Sequence, residues 1–176
     1  MKSNYDTNFV KIDRENLDSD ISIPENEKNI FITGFSDGSH CPDTLAWGVG
    51  IWVRDGSNSV KRFSFGGIGL KNSNEVERRG LQELTKYICQ NCDIKNRVLI
   101  IQCDNINELR KIKISSFSGA KHLKLKHVKG HTNHKTKRTQ VNKIVDEMAL
   151  KEMKKYRRIA LKNMAENNAS NSLQTA

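Results

Sequence analysis

Four carboxylates stand out by their positions: Asp37 in FITGFSDGSH, Glu77 in NSNEVE, Asp104 in LIIQCDN and Asp146 in VNKIVDEMA. Asp37 and Asp104 each close an apolar run that reads as a strand. If those two strands lie side by side and parallel, both acids emerge at one sheet edge, where open α/β sheets place their sites. Glu77 falls in the first turns of a helical pattern, and Asp146 early in another. Four carboxylates in one pocket repel each other strongly unless cations neutralise them. Two magnesium ions, hard cations that prefer carboxylate and water oxygens, would do so, and a pair about 4 Å apart is a device for in-line phosphodiester hydrolysis. Each acid also has a plainer reading: a turn at Asp37 and Gly38, a solvated helical Glu77, a helix cap at Asp104 and an ion pair one turn away at Asp146. Their combination with the strand order is what points to chemistry.

The stretch HVKGHTNHKTKRTQVNKIVDEMA adds His127, His131 and His134, then a basic run, then Asn142 one helical turn before Asp146. His131 and His134 are three apart, but no cysteine or carboxylate sits near them at zinc spacing, so a zinc site is disfavoured. The four cysteines, Cys41, Cys89, Cys92 and Cys103, include one close pair without a second, and read as unpaired thiols in a reducing compartment.

Several elements must position these residues. Residues 1–28 are polar and acidic, hold Pro24, show no periodicity and read as a flexible leader. NIFITGFSD reads as a strand ending at Asp37. AWGVGIWVRDGSNSVKRFSFGG reads as two further strands joined through Asp55 and Gly56. NSNEVERRGLQELTKYICQ spaces Val76, Leu81, Leu84 and Ile88 as a helix, with Asn72 or Ser73 as N-cap. RVLIIQCD is a buried strand ending at Asp104, NINELRKI a short helix, and HLKLKHV a half-buried strand. VNKIVDEMALKEMKKYRRIALKNM is a long amphipathic helix, and residues 164–176 look frayed and disordered. Three meandering strands followed by alternating helix and strand predict an α/β fold: one five-stranded mixed sheet, antiparallel at first and parallel later, flanked by helices.

At 176 residues, with 36% hydrophobic content, the chain supports one domain, placed at residues 29–163. No run is long and apolar enough for a membrane span, and the first residues lack the apolar centre of a secretory signal, so a soluble cytoplasmic protein is expected. The net charge of +10 is uneven. Residues 111–176 hold sixteen Lys and Arg against four Asp and Glu, a balance of +12, which leaves −2 for residues 1–110. A basic C-terminal third points to a polyanion, nucleic acid first, with a merely solubilising face as the alternative. Trp47 and Trp52, at strand spacing, read as sheet-face residues rather than base-stacking platforms.

FSDGSH, GVGIWV, NSNEVE, LIIQCDN and HVKGHTNHKTKRTQVNKIVDEMA resemble, in order and spacing, the type I ribonuclease H family, most of all the compact versions of phages and mobile elements. The resemblance spans roughly Ile30 to Met153. It implies the ribonuclease H-like fold and an endonuclease that cuts the RNA strand of RNA–DNA hybrids by two-metal-ion catalysis, giving 5′-phosphate and 3′-hydroxyl products. The cofactor would be two Mg²⁺ ions, with Mn²⁺ as a substitute, and the protein would act as a monomer. Carried over residue by residue, Asp37, Glu77, Asp104 and Asp146 match the metal ligands, Asp37 bridging both ions. His131 matches the loop histidine that assists the attacking water or product release, and Asn142 the asparagine supporting that end of the site. Gly38, Ser39 and Asn74 match residues that touch RNA 2′-hydroxyls, the groups that distinguish RNA from DNA, and Lys129 of VKGH joins them as a substrate contact.

Two departures matter. Glu75 replaces a basic or amide residue near the DNA phosphate pocket. Asp104 and His131 are only 27 positions apart, too few for the basic handle of larger members. The DNA strand then falls to Lys124, Lys126, Lys129, Lys135, Lys137 and Arg138, with Lys154, Lys155, Arg157 and Arg158. Two alternatives follow: a hybrid- or double-stranded-RNA-binding module with weakened catalysis, and a DNA nuclease of the same superfamily.

Overall fold

The computed structural model describes residues 10–13, 30–56, 59–128 and 137–174. In chain order the elements are β1 (Val10–Asp13), β2 (Phe31–Cys41), β3 (Ala46–Asp55), β4 (Ser59–Ile68), α1 (Ser73–Asn91), β5 (Val98–Cys103), α2 (Ile106–Leu109), a 3₁₀ turn at Ile114–Phe117, β6 (His122–His127) and α3 (Lys137–Gln174). The strands form one sheet in the order β1-β6-β5-β2-β3-β4. β2, β3 and β4 pair antiparallel, while β5 pairs parallel with both β2 and β6. The five expected strands are all present.

Alternating side chains give the central strands β2 and β3 one face for α1 and one for α3. On the α1 side, Ile32, Val49, Ile51, Leu99, Ile101, Leu123 and Leu125 pack with Val76, Leu81, Leu84 and Ile88 of the helix. The fully buried members stabilise the fold by roughly 1.5–3 kcal/mol each. Phe117 of the 3₁₀ turn completes this core. On the other side, Phe35 and Trp52 meet edge to face, 6.1 Å between centroids, beneath Val128 and Val145. Trp47 meets Phe65 in the same manner, so both tryptophans serve packing.

α3 approaches β3 more closely than side chains would allow. A Cβ at Gly48 would run into the backbone oxygen of Ala149, and one at Gly50 into that of Val145. Glycine at these two positions lets the helix rest on the strand backbone.

Three boundaries differ from the sequence reading. The leader is not structureless throughout, because Val10–Asp13 adds a sixth strand parallel to β6, with Val10 opposite Leu123 and Ile12 opposite Leu125. A four-residue strand is too short to show periodicity, and what holds it is backbone pairing to an otherwise open sheet edge. α3 continues to Gln174 instead of fraying after residue 163. No Gly or Pro follows Gly130, so nothing in the sequence stops the helix there. Finally, β2 runs through Asp37 to Cys41. What ends near Asp37 is its pairing with β5, whose last register pair is Phe35 with Gln102, while the pairing with β3 continues to Cys41 opposite Ala46.

Candidate active site

That fork between β2 and β5 is the crevice at the carboxyl ends of two neighbouring parallel strands where the chain's direction of travel across the sheet reverses. Asp37 lies just beyond the last β2–β5 pair, 7% exposed. Its partner on β3 is Gly50, the residue on which the Val145 backbone rests. Asp146, next along α3, is thereby brought to Asp37, close enough for its charge to act on it.

Glu77 reaches the fork from the second turn of α1 and is 6% exposed. Asn72 fixes the start of that helix by accepting from the Glu75 N–H at 3.0 Å, and Glu75 accepts in turn from the Lys71 N–H at 2.8 Å. Glu75 thus serves the start of the helix as a capping residue. The Gly38 N–H donates to Asp37 Oδ1 at 2.8 Å and to Glu77 Oε1 at 2.9 Å, tying the two acids to one backbone group. A Cβ at Gly38 would lie 2.9 Å from both Glu77 Oε1 and a Val76 methyl, so a larger residue there would displace the Glu77 carboxylate.

Asp104 follows the end of β5. Its ligating oxygen, one from Glu77 and the Cys103 sulfur all lie within 4.8 Å of one another. Two residues not foreseen from the sequence fix this corner. His127 Nε2 donates to the Asp104 carbonyl at 2.7 Å, pinning the residue to β6. Asn105 caps α2 by accepting from the N–H groups of Asn107 and Glu108, and its amide donates to Asn74 Oδ1 at 2.9 Å. An asparagine directly after a strand-end aspartate and before a helix was the available signal for the cap; the reach to Asn74 needs the tertiary fold.

Burial, reinforced by repulsion from Asp104 and Asp146 and opposed by the Gly38 N–H, raises Asp37 from the ordinary carboxyl range to about 7. Burial, with repulsion from Asp37 and Asp104, raises Glu77 to about 8. A divalent cation among these oxygens would remove the repulsive part of both shifts. Cys103 is pushed well above its ordinary value, first by burial and then by the Glu77 charge, so it remains a protonated thiol. The available donor set is therefore carboxylate oxygen, which fits Mg²⁺ or Mn²⁺ rather than a thiolate-seeking ion.

Gly38 and Ser39 are half-buried on β2 beyond the fork, Asn74 is exposed at the start of α1, and Asn142 is half-buried one turn before Asp146. Lys129 and His131 lie outside the described residues, as do His134 and Lys135. Among the described residues no helix is long and apolar enough to cross a membrane.

No protein-family model and no curated protein matches the sequence. Solved structures do match by fold. The N-terminal RNase H domain of a Mycobacterium tuberculosis protein superposes with a TM-score of 0.56 at 15% identity, covering 74% of this chain and 99% of that one. LC11-RNase H1, isolated from compost, gives 0.54 at 16% identity, covering 72% and 97%. RNase H1 of the archaeon Halobacterium salinarum gives 0.51 at 13%, covering 71% and 98%. Sheet order, helix placement and these likenesses together give the chain the ribonuclease H-like fold.

Proposed function

We propose that the chain is a ribonuclease H, a metal-dependent endonuclease that hydrolyses the RNA strand of RNA–DNA hybrids and leaves 5′-phosphate and 3′-hydroxyl ends. The observation that carries this reading is the convergence of Asp37, Glu77, Asp104 and Asp146, delivered by β2, α1, the end of β5 and α3, on one fork in the sheet. A nucleic-acid-binding module without catalysis has no need to gather buried acids that raise one another's pKa. Also in support, LC11-RNase H1, with 16% identity and a TM-score of 0.50, was solved in complex with an RNA/DNA hybrid.

Asp37, Glu77, Asp104 and Asp146 would hold two Mg²⁺ ions, or Mn²⁺ in their place. Bound there, the ions would activate water and neutralise charge on the leaving oxygen. The chain's own contribution is positional. The Gly38 N–H orients Glu77, His127 holds Asp104, and the Gly50 contact keeps Asp146 beside Asp37. Gly38, Ser39 and Asn74 flank the acids where RNA 2′-hydroxyls would be read, and Asn142 supports the α3 end. His131 is assigned to the attacking water or product release by the resemblance alone.

The test is incubation of the pure protein with a labelled hybrid and Mg²⁺ or Mn²⁺, beside double-stranded RNA and branched DNA. Hybrid cleavage that disappears in Asp37→Asn is the expected result. Cleavage no greater than that of Asp37→Asn sinks the proposal, and preference for branched DNA replaces it with a DNA nuclease.

A further inference from the structure

Cys103 stands in the acidic cluster without a task in the reaction. It is fully buried at the end of β5, directly before Asp104. Its thiol donates to Glu77 Oε2 at 3.3 Å, its sulfur accepts from the Asn105 N–H at 3.4 Å, and it lies 4.0 Å from Asp104 Oδ1. The other Glu77 oxygen, Oε1, is held by the Gly38 N–H at 2.9 Å. Glu77 therefore receives one donor on each oxygen, from two different strands of the fork. A glutamate on a helix has three side-chain torsions to lose before it can serve as a ligand, and two donors on opposite oxygens fix the plane of its carboxylate. An apolar residue at position 103 would leave Oε2 without this donor in a site nearly closed to water, where an unsatisfied polar atom is costly. A lysine there would bring a charge competing with any bound cation. A thiol is a weak neutral donor that avoids both faults.

We infer that Cys103 is a positioning residue whose S–H to Glu77 Oε2 bond, with the Gly38 N–H on Oε1, presets the Glu77 carboxylate toward Asp37 and Asp104 for a divalent cation. The inference rests on the proposed function, in which Glu77 holds such an ion. It predicts that a hydroxyl will replace the thiol and a methyl will not.

The experiment is calorimetric titration of the full chain with Mn²⁺ for the wild type, Cys103→Ser and Cys103→Ala, with melting curves and steady-state cleavage of a hybrid alongside. Removing an outer partner of a metal ligand costs roughly 10–100-fold in metal affinity, so Cys103→Ala should weaken Mn²⁺ at least tenfold while Cys103→Ser stays within about threefold of the wild type. In the same variants kcat should fall in Cys103→Ala with KM for the hybrid nearly unchanged, because the hybrid contacts are untouched. If Cys103→Ala does not fold, Cys103→Val supplies the donor-free side chain with the bulk retained. Mn²⁺ affinity equal to wild type in a folded donor-free variant overturns the inference and leaves the proposed function standing, and so does Cys103→Ser binding as weakly as that variant. A wild type that takes up no Mn²⁺ overturns the metal reading of the site and the inference with it.

Discussion

Asp37 and Glu77 carry the pH behaviour of the site. Both hold protons in the folded protein up to about pH 7 and 8, whereas unfolded carboxyls release theirs near pH 4. Between those limits the unfolded chain binds fewer protons than the folded one, so stability without metal falls as pH rises from about 4 to about 8. Melting in EDTA should show this decline, and Mg²⁺ or Mn²⁺ should reverse it most strongly at the alkaline end, where the acids are free to ligate. A melting temperature in EDTA that does not fall between pH 5 and 8 contradicts it. Asp37→Asn tests the same electrostatics from the other side. It removes one charge yet keeps an oxygen to accept from the Gly38 N–H. At pH 8 in EDTA it should melt a few degrees higher than wild type, since each kcal/mol shifts a chain of this size by roughly 2–4 °C, while losing both metal-dependent stabilisation and cleavage. A variant that is more stable and inactive is the expected outcome where stability was given up for function.

The acids meet because elements meet, and the contact that matters most is between β3 and α3. Gly50 is opposite Asp37 on β2 and directly beneath Val145, so the separation of strand and helix sets the distance from Asp37 to Asp146. Gly50→Val would force α3 outward. Overpacking costs roughly 1–3 kcal/mol, and here the clash is with backbone, which cannot rotate away. The variant should remain folded with a lower melting temperature and lose metal affinity, although no ligand has been altered; unchanged Mn²⁺ binding by calorimetry would remove Gly50 from this role. Asn105→Ala is the milder counterpart at α2. Losing the cap should cost about 1 kcal/mol and release Asn74, measurable as a lower melting temperature and a raised KM for the hybrid. These particulars show what was legible in the sequence. Helix-start and strand-end positions mark Glu77 and Asp104, and a 3.6-residue period places Asp146 on a helix, because local patterning reports those directly. Asp37 reads as a strand end although β2 runs on to Cys41, because what stops near it is the pairing with β5, which local patterning does not show. The glycines of GVGIWV carry no periodic signal that separates a close helix contact from a turn, and His127 looks like any strand residue until β6 lies beside Asp104. Cys103 reads only as an unpaired thiol because the partner that gives it another role is 26 positions away.

Across the whole molecule the charge is segregated, with the acids in the fork and all of the excess basic charge in residues 111–176. α3 is 38 residues long, about 57 Å at 1.5 Å per residue, whereas the longest strand, β2, has 11 residues and spans about 36 Å. The helix must therefore project beyond the sheet. Tyr156 still lies over Gly66 of β4 and Ala160 is buried, but Ile159, Leu161 and Met164 are exposed. Along this stretch Lys154, Lys155, Arg157 and Arg158 are exposed on α3. Lys154 and Arg158 are 8 and 12 residues beyond Asp146, or about 12 and 18 Å along the axis, a reach of roughly four to five base-pair rises. A hybrid seated at the fork could meet these cations with its backbone, taking over the task of a basic handle. If it does, hybrid affinity should fall steeply with salt, and each phosphate contact removed should flatten the log–log salt dependence by about one. Lys154→Ala with Arg158→Ala should then lower the slope by about two and raise KM, leaving kcat at saturating hybrid unchanged because neither residue approaches the acids. Fluorescence anisotropy of a labelled hybrid between about 50 and 200 mM salt, with EDTA present to prevent cleavage, measures the slope directly. An unaltered slope would show that the backbone is held elsewhere, and the exposed basic face of α3 would then be only a solubilising surface.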